Sequence, residues 1–120
     1  MATYGHLVKR LDIRLVRGDG ERVGGRWRRL NLATGETTPV DLSGWTGRVE
    51  FRSPDGTEIW YSTACDQMTV DGYAIAGIPY GAFTSAIWDT RRNGRWKCVV
   101  TSKDGNTTRT IGWGYWVLSD

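Results

Sequence analysis

Hydrophobic residues along this 120-residue chain recur mostly at every second position, in short runs broken by glycine. That is the spacing of half-buried β-strands, whose successive side chains point to opposite faces. Leu11, Ile13 and Leu15 alternate with Asp12 and Arg14 and predict a first strand, ending at Gly18-Asp19-Gly20. "GGRWRRLNL" predicts a second, followed by the turn "ATGET" and the corner "PVDLSGW". In "TGRVEFRS", Val49 and Phe51 face one way while Arg48, Glu50 and Arg52 face the other, and Pro54-Asp55-Gly56 turns the chain back into "TEIWYS". An Asp-Gly step between alternating strands is a strong hairpin signal, because the turn needs a positive φ. "GRWKCVVTSKDGNTTRTIGW" repeats the arrangement with Asp104-Gly105 at its tip, so two equivalent hairpins are expected, one in each sheet.

"MTVDGYAIAGIPY" reads as a further strand or tight pair, and "FTSAIWDT" as one helical turn capped by Thr84, with Phe83 and Ile87 on one face. "GWGYWVLSD" predicts a final strand with Trp116 and Leu118 on the same side. About eight short strands and one helical turn predict an all-β, antiparallel β-sandwich, with a closed barrel as the alternative. The chain is expected to form a single domain over residues 1–120, with 1–8 as a mobile N-terminal segment.

Arg17-Gly18-Asp19 is the tripeptide that integrins read, but here it closes a regular strand. Gly18 supplies a positive φ and Asp19 an Asx turn, which explains the tripeptide as chain reversal. Asp55-Gly56 and Asp104-Gly105 are structural turns of the same kind.

Composition adds a surplus of rings: seven tryptophans and five tyrosines. Alternation sends Trp60 and Tyr61 to opposite faces of their strand, and Tyr115 and Trp116 likewise. Rings turned outward need cover from another polypeptide or a sugar. Trp60, Tyr61, Trp113, Tyr115 and Trp116 are therefore the candidate interface, and a carbohydrate-binding module is the alternative reading. No catalytic, cofactor or metal site is expected: the single histidine, His6, lies in the N-terminal segment, and the aspartates are scattered through turns. Cys65 and Cys98 form no CxxC, so neither zinc nor a disulfide framework is predicted, and Cys98 reads as a buried thiol beside Trp96 and Val100. A formal charge of +3 offers little counterion release, so "RWRRL" and "RRNGRWK" read as solvated basic faces and nucleic-acid binding is disfavoured. No apolar run is long enough to cross a bilayer and no secretory signal is recognisable, which points to synthesis in the cytoplasm of a host cell.

The order of Arg17-Gly18-Asp19, Val40 to Trp45 ("VDLSGW"), and Gly94 to Trp96 leading to Asp104-Gly105 resembles the small β-sandwich of tail, baseplate and fibre proteins of long-tailed phages. It is similar to the N-terminal domain of baseplate upper proteins and to minor tail proteins of phages of Gram-positive and actinobacterial hosts. The resemblance spans about Leu11 to Leu118 and implies a virion structural role without catalysis. Its expected partners are other virion proteins and copies of itself, with a host-surface glycan as a further class. A head-surface decoration or fibre protein is an alternative within the same role.

Replacing Gly18 with valine forces a β-branched residue into a turn that needs positive φ. Thermal scans should show Gly18→Val unfolding several degrees below wild type. An unchanged midpoint would reject the turn.

Overall fold

The computed structural model describes residues 4–120, with backbone alone for 4–7. Among the described residues there are twelve strands and one 3-10 turn. In chain order they are β1 (Tyr4–Leu7), β2 (Lys9–Arg10), β3 (Ile13–Val16), β4 (Glu21–Arg26), β5 (Arg28–Asn31) and β6 (Thr37–Pro39). Then follow β7 (Thr46–Arg52), β8 (Ile59–Ala64), β9 (Gln67–Met68), β10 (Tyr73–Ile78), the 3-10 turn Ala86–Asp89, β11 (Asn93–Thr101) and β12 (Thr108–Ser119). Of the segment read as mobile, residues 4–7 form β1, which pairs antiparallel with β5.

The strands make an all-β sandwich whose sheets do not close into a barrel. The larger sheet runs β8-β7-β11-β12, with β2 and then β3 lying along the far side of β12. These two run parallel to β12, and every other pairing is antiparallel. A three-stranded sheet, β4-β10-β9, packs over it, with β10 against β7 and β8 and β4 against β12. Both Asp-Gly hairpins, β7–β8 and β11–β12, lie in the larger sheet and are joined through β7–β11 pairing, rather than one in each sheet. Their inward residues have the same sidedness, so one continuous sheet buries both with a single face. The run "GGRWRRLNL" is also divided: Trp27 interrupts it, donating its N–H to the Gly72 carbonyl and accepting from the Val40 N–H. Beyond that break, β5 leaves the sandwich and joins β1 and β6 in a third sheet.

The core explains the alternation. Val49, Phe51, Trp96, Cys98, Val100, Ile111, Trp116 and Leu118 point inward from the larger sheet, facing Val23, Ala74, Ala76 and Ile78. Leu42, Phe83 and Trp88 from the connections close the ends. Phe83 packs on Trp88 with ring centroids 4.7 Å apart, and both are buried, whereas Ile87 is exposed. The "FTSAIWDT" turn thus buries Phe83 with Trp88 and not with Ile87. Its N-cap is Ser85, because the turn spans only Ala86–Asp89, and Thr84 Oγ1 instead donates to the Gly81 carbonyl.

At the centre of the larger sheet, tryptophan and glycine pair twice across β11 and β12: Trp96 opposite Gly114, and Trp116 opposite Gly94. Each indole lies over the facing glycine and reaches the backbone one strand further on. Trp96 Nε1 donates to the Leu11 carbonyl at 2.7 Å, and Trp116 Nε1 to the carbonyls of Arg52 and Arg95 at 3.1 Å each. A Cβ on Gly114 would sit 2.0 Å from the Leu11 oxygen and 2.9 Å from Trp96 Nε1. A Cβ on Gly94 would sit 1.9 Å from the Arg52 oxygen. The glycines are thus required by two rings and two carbonyls.

Gly114→Ala should lower the unfolding free energy by about 3 kcal/mol, since the backbone itself would have to move. Gly81→Ala, where a Cβ meets nothing within 4 Å, should be neutral or stabilising by up to about 1 kcal/mol. Urea unfolding of the two variants checks both outcomes.

Candidate interaction surface

The outer face of β12 carries Trp113, Tyr115 and Val117, each about 40–50% exposed, while Trp116 between them is 1% exposed. Trp116 therefore belongs to the core and is not available to a partner. Its sidedness follows from alternation, since its neighbour Tyr115 takes the outer face.

Trp60 and Tyr61 do not point to opposite faces. A bulge between Phe51 and Arg52 pairs Arg52 with Ile59 and Phe51 with Tyr61, leaving Trp60 as the extra residue. An inserted residue rotates the strand locally, so that both rings pack against the core. Tyr61 lies 5.4 Å from Phe83, and Trp60 lies 6.1 Å from Trp116. The remaining face of Trp60 carries the Arg91 guanidinium at 4.7 Å, and its Nε1 donates to Glu58. Of the five rings expected to meet a partner, the structure leaves Trp113 and Tyr115 on an open surface.

The position of these two rings follows from the core. Because the Leu11 carbonyl turns inward to Trp96, the ladder along β12 is broken between β2 and β3. The Tyr115 N–H there is taken by Asp12 Oδ1 at 3.1 Å. Arg10 holds that carboxylate through two bonds of 3.1 and 3.0 Å and lies over the rings of Tyr115 and Trp113 at 4.8 and 5.6 Å. The Arg10 bond, seconded by the Tyr115 N–H, keeps Asp12 below the usual carboxylate range. The two rings are 6.4 Å apart and inclined at 66°. They form an angled edge capped by a cation, unlike the flat platform on which a sugar ring stacks.

The turn residues have distinct fates. Gly18 adopts φ 89°, and the Asp19 N–H bonds the Val16 carbonyl at 3.1 Å. Sequence reasoning missed Arg17, whose guanidinium is turned into the molecule. It donates to the Phe83 carbonyl at 3.0 Å and to Asp89 at 2.8 Å, fastening the 3-10 segment to the end of β3. An arginine held in this way is not presented to an integrin.

The two hairpin tips are chemical copies. Asp55 Oδ1 accepts from Ser53 Oγ and the Thr57 N–H at 2.6 and 3.0 Å, and Asp104 Oδ1 from Ser102 Oγ and the Asn106 N–H at 2.5 and 2.9 Å. Gly56 and Gly105 have φ 78° and 79°. The Ser53 hydroxyl, then the Thr57 N–H and hydroxyl, hold the Asp55 carboxyl down at about 2.

On the outer face of β7, Glu50 is 2% exposed between Arg48 at 2.6 Å and Arg52 at 2.7 Å, with Lys97 opposite on β11. Burial alone would raise its pKa, but hydrogen bonds from the two guanidinium groups outweigh that and leave it lowered. Cys65 and Cys98 are both free and meet in the core, where the Cys65 hydrogen bond and burial push the Cys98 thiol well up. Among the described residues no group of three or more His, Cys, Asp or Glu side chains could hold a metal, and no helix is long and apolar enough to cross a membrane. The side chain of His6 lies outside the described residues.

The fold and surface thus define an all-β sandwich. Compared with family models and with curated proteins, the sequence matches no family model and no curated protein.

Because Glu50 has a lowered folded pKa, its contribution to stability is complete above the ordinary carboxylate range and is lost as pH falls through the folded value. Stability measured against pH should therefore decline below about pH 4. Glu50→Gln should make that acid limb shallower without removing it, since Asp12 and Asp55 are held down as well, and an unchanged limb would show that Glu50 does not couple to folding.

Proposed function

We propose that the protein is a structural component of a phage virion, in the tail, the baseplate or a fibre adaptor, and works by assembling with other virion polypeptides. The observation that carries this reading is the sheet β1-β5-β6. Neither β5 nor β6 contributes a buried residue, and Leu32 between them is 57% exposed. Strands as short as β5 and β6 that bury no residue of their own are marginally stable in water. Burying such a sheet against a neighbour supplies what the chain leaves out, and its edge strands offer backbone groups for pairing. The described residues extend 55 Å along the long axis against 25 and 23 Å across it. Their radius of gyration of 15.5 Å exceeds the about 14 Å usual for a compact chain of this length. The resemblance of "VDLSGW" and the Gly94–Trp96 strand to the phage module supports the same reading.

The test is photo-crosslinking in purified particles, with a crosslinking residue at Leu32 in the β5–β6 connection or at Thr38 in β6, and at Val70 as the control, also strongly exposed. Adducts with another virion polypeptide are expected from the first two positions and not from Val70. Particles lacking the protein, or adducts from none of these sites, would reject the assignment. Retention on a glycan array with no particle association would favour the sugar-binding alternative.

A further inference from the structure

Charge is distributed unevenly along the chain: eight of the sixteen Lys and Arg residues, but three of the thirteen Asp and Glu, precede Leu30. The fold gathers four of those cations, Lys9, Arg22, Arg26 and Arg28, around one cleft of about 570 Å³ where β4 passes over β12 beside β2. Arg22 is paired with Asp66, both half exposed, and Arg26 donates to the Asp71 carbonyl while lying over Tyr73 at 4.7 Å. Lys9 and Arg28 make no ion pair among the described residues.

The saddle of the cleft is Gly24-Gly25, and neither residue could carry a side chain. A Cβ on Gly24 would lie 2.0 Å from the Ala74 oxygen, and one on Gly25 would lie 2.8 Å from the Ile111 oxygen. Strand β4 therefore packs backbone to backbone on β10 and β12 at this point. Among the described residues its only ladder partner is β10, so its other edge is free. Leu11, Ile75 and Ile111 supply the apolar part of the lining.

We infer that the cleft receives an extended acidic segment of a partner polypeptide, which adds as a strand along the free edge of β4. Three features select that occupant. The charged side chains are donors only, so the ligand must be rich in anionic acceptors. The apolar lining asks for apolar groups alternating with those anions, which a strand provides. The edge of β4 away from β10 has no ladder partner among the described residues, so its backbone groups are open to pairing, as strand addition requires. A neutral sugar would need side-chain acceptors as well, and an acidic polysaccharide meets only the first condition. This inference rests on the assembly reading and names the chemistry of one contact within it.

The test uses the full chain and a capped peptide of about eight residues alternating glutamate with valine, a usual strand length. Titration calorimetry should give binding in about the micromolar range. Lys9→Glu and Arg28→Glu should each weaken it about tenfold, with unchanged circular dichroism. A peptide of the same sequence with alternate backbone nitrogens methylated keeps its charge but loses its edge donors, and should not bind. Polygalacturonate should not displace the peptide. Equal binding of the methylated peptide, displacement by the polysaccharide, or no binding at millimolar peptide would overturn the inference. Peptide binding needs no particle, so a protein missing from virions that still binds would cost only the virion assignment, whereas one crosslinked in particles but blind to the peptide would cost only this inference.

Discussion

The double exchange of tryptophan and glycine across β11 and β12 is the constraint on which the rest of the molecule depends. An indole is too large to stand upright between two sheets that approach closely, and alanines face it from the smaller sheet. Trp96 and Trp116 instead lie flat along their own sheet, each over a glycine of the opposite strand. This buries both rings almost completely and delivers both indole N–H groups to backbone carbonyls, so neither of these two nitrogens is buried without a partner.

That arrangement propagates outward. Giving the Leu11 carbonyl to Trp96 breaks the ladder beside β12, Asp12 supplies the missing acceptor for Tyr115, and Arg10 steadies Asp12 while covering the outward rings. At the other end, Trp116 packs with Trp60 and Trp88, and Arg17 ties the Trp88 segment to β3. The outer aromatic surface is therefore a consequence of core packing, not an independent feature laid on top of it. Exposed tryptophan and tyrosine on a sheet are an ambiguous functional signal for this reason: part of their placement is dictated from within.

The surfaces that the core does not explain draw most of their residues from positions 4–40. The third sheet is not needed to close the sandwich, and the basic cleft at β4 has cations that the fold leaves without carboxylate partners among the described residues. Both belong to the part of the chain with the strongest excess of positive charge. The exposed third sheet and the basic cleft are thus grouped on one region, while the hairpins β7–β8 and β11–β12 form the larger sheet behind them.

Much of this was legible in the sequence, because alternation and turn chemistry are local. The all-β class, the positions of both Asp-Gly tips and the inward sets at Val49 and Phe51 and at Trp96, Cys98 and Val100 all follow from neighbours within a few residues. What tertiary structure alone decided is where local rules are overridden by distant groups. The bulge that turns both Trp60 and Tyr61 inward answers to the pairing of β7 with β8 and to the space beside Phe83. The union of the two hairpins in one sheet depends on β7 meeting β11, and the grip of Arg17 on the Phe83 carbonyl joins residues far apart in the chain. Glycines 94 and 114 look in sequence like weak points in a strand. Only the rings packed across them, in a register shifted between Cys98 and Val99, and the Arg52 and Leu11 carbonyls from outside the hairpin show why no side chain can stand there.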